Sequence, residues 1–342
     1  MSIPCYPLHV LIALRDEDLI ARYQLDQQAG KLIRLDNFQL SGGPAPICIS
    51  QDCRHLYVGL RDTNELAVVA VSADGSLNML ERKALGLNPV HINLSCRHRY
   101  LFAASYSHNA WSAFSLDAEG QIMTAVIEPV VGVEKAHQVM IREDFGWVMV
   151  PALGMDTLFI YDLSSLNGQP VLLEKLAMTN GSGPRHLVWH PSEPVFFVVN
   201  ELLSSVTMVE YQRTTDSFIV HEQVSCLPVE YRGSSTAAQI RISPDGRHLY
   251  VSNRGHDSVA VLQFSQRSKE LQLLSNVSSE PVPRAIALDP LGRWLIAAGQ
   301  HSGYAVLYER NLKSGLLTEK DRVETGQEAY WVEFLSLVDT SS

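Results

Sequence analysis

Three observations predict an all-β chain folded as a seven-bladed β-propeller. A strand motif recurs seven times, each repeat has room for four short strands, and a strand missing at the start of the chain reappears alone at its end. The motif is a pair of apolar residues followed by small ones. It reads VLIALR from Val10, LYVGLR from Leu56, LFAASY from Leu101, VMVPAL from Val148, FFVVNE from Phe196, LYVSNR from Leu249 and LIAAGQ from Leu295. Successive copies lie 46, 45, 47, 48, 53 and 46 residues apart. The apolar period is near two and Val, Ile, Tyr and Phe are enriched, which selects strands over the helices of a solenoid.

The blades can be laid out in chain order. Twelve residues before six of the anchors stand Pro44, Pro89, Ala136, Pro184, Ala237 and Pro283, each opening a short apolar strand. These open blades one to six. Between opener and anchor lie turn residues, clearest in Ser243-Pro244-Asp245-Gly246 and Asp289-Pro290-Leu291-Gly292, which predict tight hairpins. After each anchor come two further strands around a polar turn, as in LAVVAVSADGSLNML from Leu66 and VTMVEYQRTTDSFIV from Val206. The unit beginning near Pro7 has no inner strand of its own, while AYWVEFLSL from Ala329 stands alone. Pairing the two completes blade seven and covers two open sheet edges. This closure predicts one domain over residues 1–342, against the rival of two packed sandwiches.

Composition narrows the function. The 342 residues are 46% hydrophobic and 19% charged, with a net charge of −10. No apolar run approaches the roughly 18 residues that span a bilayer. The opening MSIPCYPLHVLIAL has no basic leader and is broken by Pro4 and Pro7, so a soluble, cytoplasmic protein is expected. An acidic chain without a Lys/Arg block predicts neither a nucleic-acid nor a membrane partner. The five cysteines, Cys5, Cys48, Cys53, Cys96 and Cys226, include no C-x-x-C pair and read as reduced structural thiols. No serine elbow, H-E-x-x-H, P-loop or G-x-G-x-x-G context occurs, so no metal and no cofactor are expected.

The topology then says which residues meet. The start of each inner strand and the end of the next strand emerge on one face of the disc. The residues just after the openers are Ala45, Val90, His137, Arg185, Ala238, Arg284 and, in the closing strand, Tyr330. Those five past the anchors are Arg15, Arg61, Tyr106, Leu153, Glu201, Arg254 and Gln300. One face thus collects arginines, a glutamate and a histidine at the channel mouth, a set suited to a small anion. Arginine forks bind carboxylate or phosphate and stabilise an oxyanion. Glu201 and His137 are the candidate proton carriers.

Bland readings stand beside these. Arg185 and Glu201 form a mere ion pair, and His186 alternates away from Arg185 into an interblade packing position. His55, His98 and His248 sit solvated at hairpin turns. Asp245 and Asp289 shape turns, while Tyr106 and Tyr330 plug the channel.

The blocks GPRHLVWHPSEPVFFVVNEL from Gly183, RISPDGRHLYVSNRGHDSVAV from Arg241 and GRWLIAAGQHSGYAVLYE from Gly292 resemble the seven-bladed β-propeller lactonase family. That family includes cycloisomerase-like bacterial 6-phosphogluconolactonases and is related to carboxymuconate-lactonizing cyclase. The resemblance covers essentially the whole chain. It implies hydrolysis of a sugar δ-lactone, foremost 6-phosphogluconolactone, in the pentose phosphate pathway. It implies Glu201, His137, Arg185 and Arg254 as catalytic, with Arg61, Tyr106 and Gln300 binding a small anionic lactone, and the ring geometry adds Arg284 to the binding set. The chain is expected to be a monomer or weak homodimer. A muconate-type lactonizing cycloisomerase and a noncatalytic propeller scaffold are the alternatives. The chain departs from the family's pattern at Gln239, an often acidic position, at Ser105-Tyr106-Ser107-His108, and in KAHQVMIREDFG, which lacks the usual S-P-D turn.

Overall fold

The computed structural model describes residues 7–95, 100–165 and 170–337. Cys5, Cys96, His98 and Pro4 lie outside the described residues. Seven four-stranded antiparallel sheets stand in chain order, with two 3-10 turns as the remaining regular elements. The inner strands of blades one to six are Pro44–Ile49, His91–Ser95, Met140–Arg142, Pro184–Trp189, Thr236–Ile242 and Pro283–Leu288. Their second strands are His55–Leu60, Tyr100–Ser105, Trp147–Ala152, Val195–Asn200, His248–Arg254 and Trp294–Gly299.

Blade seven is built from both ends of the chain. Ala329–Ser336 is its inner strand and pairs with Leu8–Leu14 over the whole length of the latter, Leu8 facing Ser336 and Ala13 facing Trp331. The predicted closure is present.

The second strands explain why the repeat was legible. Leu8–Leu14, Trp147–Ala152, Val195–Asn200 and Trp294–Gly299 are buried at every position, because each is covered by a neighbouring blade on both faces. Among the described residues, seven apolar clusters form, one at each interface between adjacent blades. Trp294, for example, packs against Val10, Ile12 and Tyr23 across the junction of blades six and seven. Burying each large side chain contributes about 1.5–3 kcal/mol, and the core is a ring of such interfaces rather than one centre. Outer strands face water and are polar, as in Lys31–Gln39. No helix is long and apolar enough to cross a membrane among the described residues.

The turn residues act as expected. Asp245 Oδ1 accepts from Ser243 Oγ at 2.5 Å and from Arg247 N at 3.1 Å. Asp289 Oδ1 accepts the Trp294 amide at 2.5 Å. His248 differs from its expected solvated state: it is fully buried. The hairpin it begins lies under blade six, so its ring rests on Gly315, where a Cβ would come within 2.1 Å, and its Nδ1 meets Arg310 Nη2 at 3.0 Å. Cys226 is buried, and Cys48 and Cys53 are half-buried.

One irregularity recurs and governs everything at the channel mouth. Pro184 faces Asn200 while His186 faces Val199, so the inner strand carries one residue more than its partner. The same extra residue appears after Pro283, Pro44, Ala237 and Ala329. In blade three Ala136 opposes Ala152 and Met140 opposes Met149, again one residue more on the inner side. A β-bulge of this kind breaks the strict alternation of side chains and re-aims them.

Candidate active site

The bulges turn two consecutive side chains of an inner strand toward the channel. Tyr330 and Trp331 line the same narrow cavity, together with Arg61, His137, Arg185, Arg284 and Gln239. His186 therefore does not alternate away from Arg185 as expected. Its Nε2 lies 3.4 Å from Arg185 Nη1 and 3.2 Å from His137 Nδ1.

Glu201 is fixed by its backbone before its side chain acts. Its amide donates to Gly183 O at 2.8 Å and its carbonyl accepts from the Ala237 amide at 3.0 Å, bridging blades four and five. The carboxylate then spans two guanidiniums, with Oε2 2.9 Å from Arg185 Nε and Oε1 3.2 Å from Arg254 Nη2. The Arg185 Nε–H bond does not point along this line, so the contact is an ion pair rather than an aligned hydrogen bond. Arg185 is 2% exposed and also donates to Ala238 O. Arg254 Nη2 donates to Ala237 O at 3.0 Å.

A second group of arginines surrounds Tyr330. Arg284, Arg15 and Arg61 place their guanidinium carbons 4.5, 5.2 and 5.7 Å from the centre of its ring. Arg15 is held by Asp62 at 2.5 Å, and Arg61 Nε donates to Asn88 Oδ1 at 3.0 Å. Among the described residues neither Arg61 nor Arg284 forms an ion pair with a carboxylate. Burial, then repulsion from Arg254, lowers the Arg284 pKa to about 10. Burial and the neighbouring Arg15 likewise lower that of Arg61. Two guanidiniums held under mutual repulsion, with no carboxylate in ion-pair contact among the described residues, form a site for an anion.

His137 is 6% exposed beside this excess charge, its ring edge-on to Tyr106 at 5.7 Å between centres. Burial first, then Arg185 and Arg284, hold its pKa well below 6.5, so the ring is neutral at physiological pH. Among the described residues no group of three or more His, Cys, Asp or Glu side chains could hold a metal ion.

The contacts thus join His137, Tyr106, Arg185, Glu201, Arg254, Arg284 and Arg61 around one mouth. Gln300 is held by Glu328: its amide donates to Glu328 Oε2 at 2.8 Å, and Glu328 Oε1 also holds His301 Nδ1 at 2.6 Å. The channel is plugged below by His91, His186 and Trp331, whose rings lie 5.5 to 6.3 Å apart, rather than by Tyr106 and Tyr330. His186 and Trp331 follow the residues predicted to face the channel. The bulges after Pro184 and Ala329 place them there, and the sequence carries no mark of either bulge.

The sequence matches the family model described as "Lactonase, 7-bladed beta-propeller" over residues 10–334. The chain belongs to this family. Relatives in the family include the 6-phosphogluconolactonase of Yersinia pestis (strain Pestoides F), 32% identical over 325 residues, 94% of this chain and 96% of that one. The 6-phosphogluconolactonase of Yersinia enterocolitica serotype O:8 is 31% identical, covering 96% of this chain and 98% of its own. A crystal structure of a protein from Lactobacillus plantarum superposes with a TM-score of 0.86 at 26% identity, over 97% of this chain and all of that one. The periplasmic gluconolactonase of Pseudomonas aeruginosa shares the fold at TM-score 0.86 and 22% identity, over 97% of this chain and all of its own.

Proposed function

We propose that this chain hydrolyses 6-phosphogluconolactone to 6-phosphogluconate. The observation that carries the reading is the pair of carboxylate-free guanidiniums, Arg61 and Arg284, lining one cavity with the neutral imidazole of His137. The names of the Yersinia relatives support it. Arg61 and Arg284, spaced on the Tyr330 ring, hold the phosphate. Arg185 faces the lactone carbonyl and stabilises the oxyanion that forms when water adds. Glu201 organises Arg185 and Arg254. Its charge is held between the two guanidiniums, so His137 is the better base.

His137 takes a proton from the attacking water and returns it to the ring oxygen as the C–O bond breaks, leaving a free hydroxyl and a carboxylic acid whose proton is then lost to solvent. An imidazole with so low a pKa is a weak base in the empty site. Substrate phosphate eases this in part, because it offsets the fields of Arg284 and Arg61, while burial and Arg185, the larger causes, remain. Binding thus raises the basicity of His137.

The proposed unit is one domain acting in the cytoplasm as a monomer or weak homodimer. The test is lactone disappearance, corrected for spontaneous hydrolysis, on 6-phosphogluconolactone, gluconolactone and muconolactone. Preference for the phosphorylated sugar lactone is expected. Turnover of muconolactone alone would transfer the site to cycloisomerisation, and turnover of none would favour a scaffold.

A further inference from the structure

Blades three, four and five carry equivalent polar residues two past their openers: Gln138, His186 and Gln239. The two glutamines do the same structural work. Gln138 Oε1 accepts the Leu187 amide at 2.6 Å and Gln239 Oε1 accepts the Ile286 amide at 2.8 Å, each tying its blade to the next. His186 makes no such link. Its Nδ1 is buried without a hydrogen-bond partner among the described residues, and its Nε2 is turned back toward His137.

The donors and acceptors around that Nε2 can be assigned from chemistry. A guanidinium donates and never accepts, so the His186 Nε2 atom facing Arg185 Nη1 at 3.4 Å carries a lone pair. The one lone pair of His186 Nε2 is shared between the two contacts, so the hydrogen for the 3.2 Å contact to His137 sits on His137 Nδ1. Neither ring carries a second proton at neutral pH: burial, followed by Arg185, holds both pKa values well below 6.5, with Arg284 and Arg61 adding at His137 and His91 and Arg241 adding at His186. His137 Nε2 has no hydrogen bond among the described residues, and its ring lines the cavity.

We propose that His186 is a positioning residue: with Arg185 behind it, it fixes His137 as the Nδ1–H tautomer and leaves His137 Nε2 as the free lone pair at the cavity. Arg185 then serves twice, facing the carbonyl with its charge and setting the tautomer through His186. The kinetic consequence rests on the proposed role of His137 as base. The tautomer itself does not.

The test therefore has two readouts. In protein labelled with ¹⁵N-histidine, a long-range ¹H–¹⁵N spectrum, with His137 assigned from its loss in His137→Gln, should show the Nδ1–H form. In His186→Leu the Nε2–H form should appear, with kcat down about 10²-fold and KM little changed. His186→Gln, whose Oε1 can accept in place of Nε2, should restore the Nδ1–H form and most of the rate. If the leucine variant does not fold, the glutamine variant carries the comparison. An Nε2–H tautomer in the parent, or a folded leucine variant with parental kcat, overturns the proposal. Full activity in His137→Gln instead overturns the base role and the kinetic consequence with it, while the spectrum of the parent still decides the tautomer.

Discussion

Arg284 should pull stability and substrate affinity in opposite directions. Its guanidinium has no carboxylate partner, lies 4.5 Å from the Tyr330 ring centre and has its pKa lowered to about 10 by burial and by Arg254. A cation whose folded pKa is depressed penalises the fold at every pH below that value. The penalty fades as pH rises through it, and at neutral pH it is on the order of a few kcal/mol. Arg284→Met keeps the length and apolar contact but removes the charge. Its melting temperature should equal or exceed the parent's.

Affinity should move the other way. A charge-assisted hydrogen bond to phosphate contributes about 1.5–3 kcal/mol, so discrimination between phosphorylated and unphosphorylated lactone should fall about 10- to 150-fold. Inorganic phosphate should raise the melting temperature of the parent and do so weakly in the variant. Arg254→Met is the control. Arg254 is balanced by Glu201, so its loss should cost stability and leave phosphate discrimination largely intact. The assays are kcat/KM for the two lactones and thermal melts with and without phosphate. Parental discrimination in Arg284→Met, or its collapse in Arg254→Met alone, would refute the assignment.

Glu201→Gln removes the counter-charge of nearly fully buried Arg185, and with Glu201 itself partly exposed the loss should be about 2–3 kcal/mol, read as a melting temperature about 3–4 °C lower in a chain of this length. Because phosphate relieves the fields depressing His137, the acid limb of kcat should lie at higher pH than that of kcat/KM; coincident limbs would count against a binding-activated base. The buried neutral rings of His91, His137 and His186 have pKa values below that of an unfolded histidine, so the unfolded chain takes up protons first. Stability should fall as pH drops below about 6.5, and melts from pH 7.5 to 5 measure the slope. Deleting residues from Ala329 onward removes buried Trp331, Val332 and Leu335 and bares the Leu8–Leu14 edge, and a soluble product melting within a few degrees of the parent would contradict ring closure.

The blades, their order and the closing strand were readable because each second strand is enclosed by neighbours and so carries an uninterrupted apolar run. The mouth residues were readable for a related reason: Arg185, Arg284 and His137 stand at one fixed offset from the openers. The bulges were hidden. An extra residue in a strand leaves no mark on composition, and strict alternation placed His186 in an interblade seam when it lies at the channel. The pairing of Glu201 was equally out of reach, because whether a carboxylate is a free base or is held between guanidiniums depends on distances that spacing alone does not carry. His248 shows the limit for turns. A hairpin sequence identifies the turn but not whether the next blade covers it.

The composite blade has a consequence for how the protein is made. Six blades and three strands of the seventh have already been synthesised when Ala329–Ser336 is translated. Tyr330, on whose ring Arg15, Arg61 and Arg284 rest, belongs to that strand. The arginines therefore have no common platform until translation has passed the closing strand. A nascent or prematurely terminated chain would carry His137, Arg185 and Glu201 yet hold no organised anion site, so catalytic activity would report that the ring had been joined.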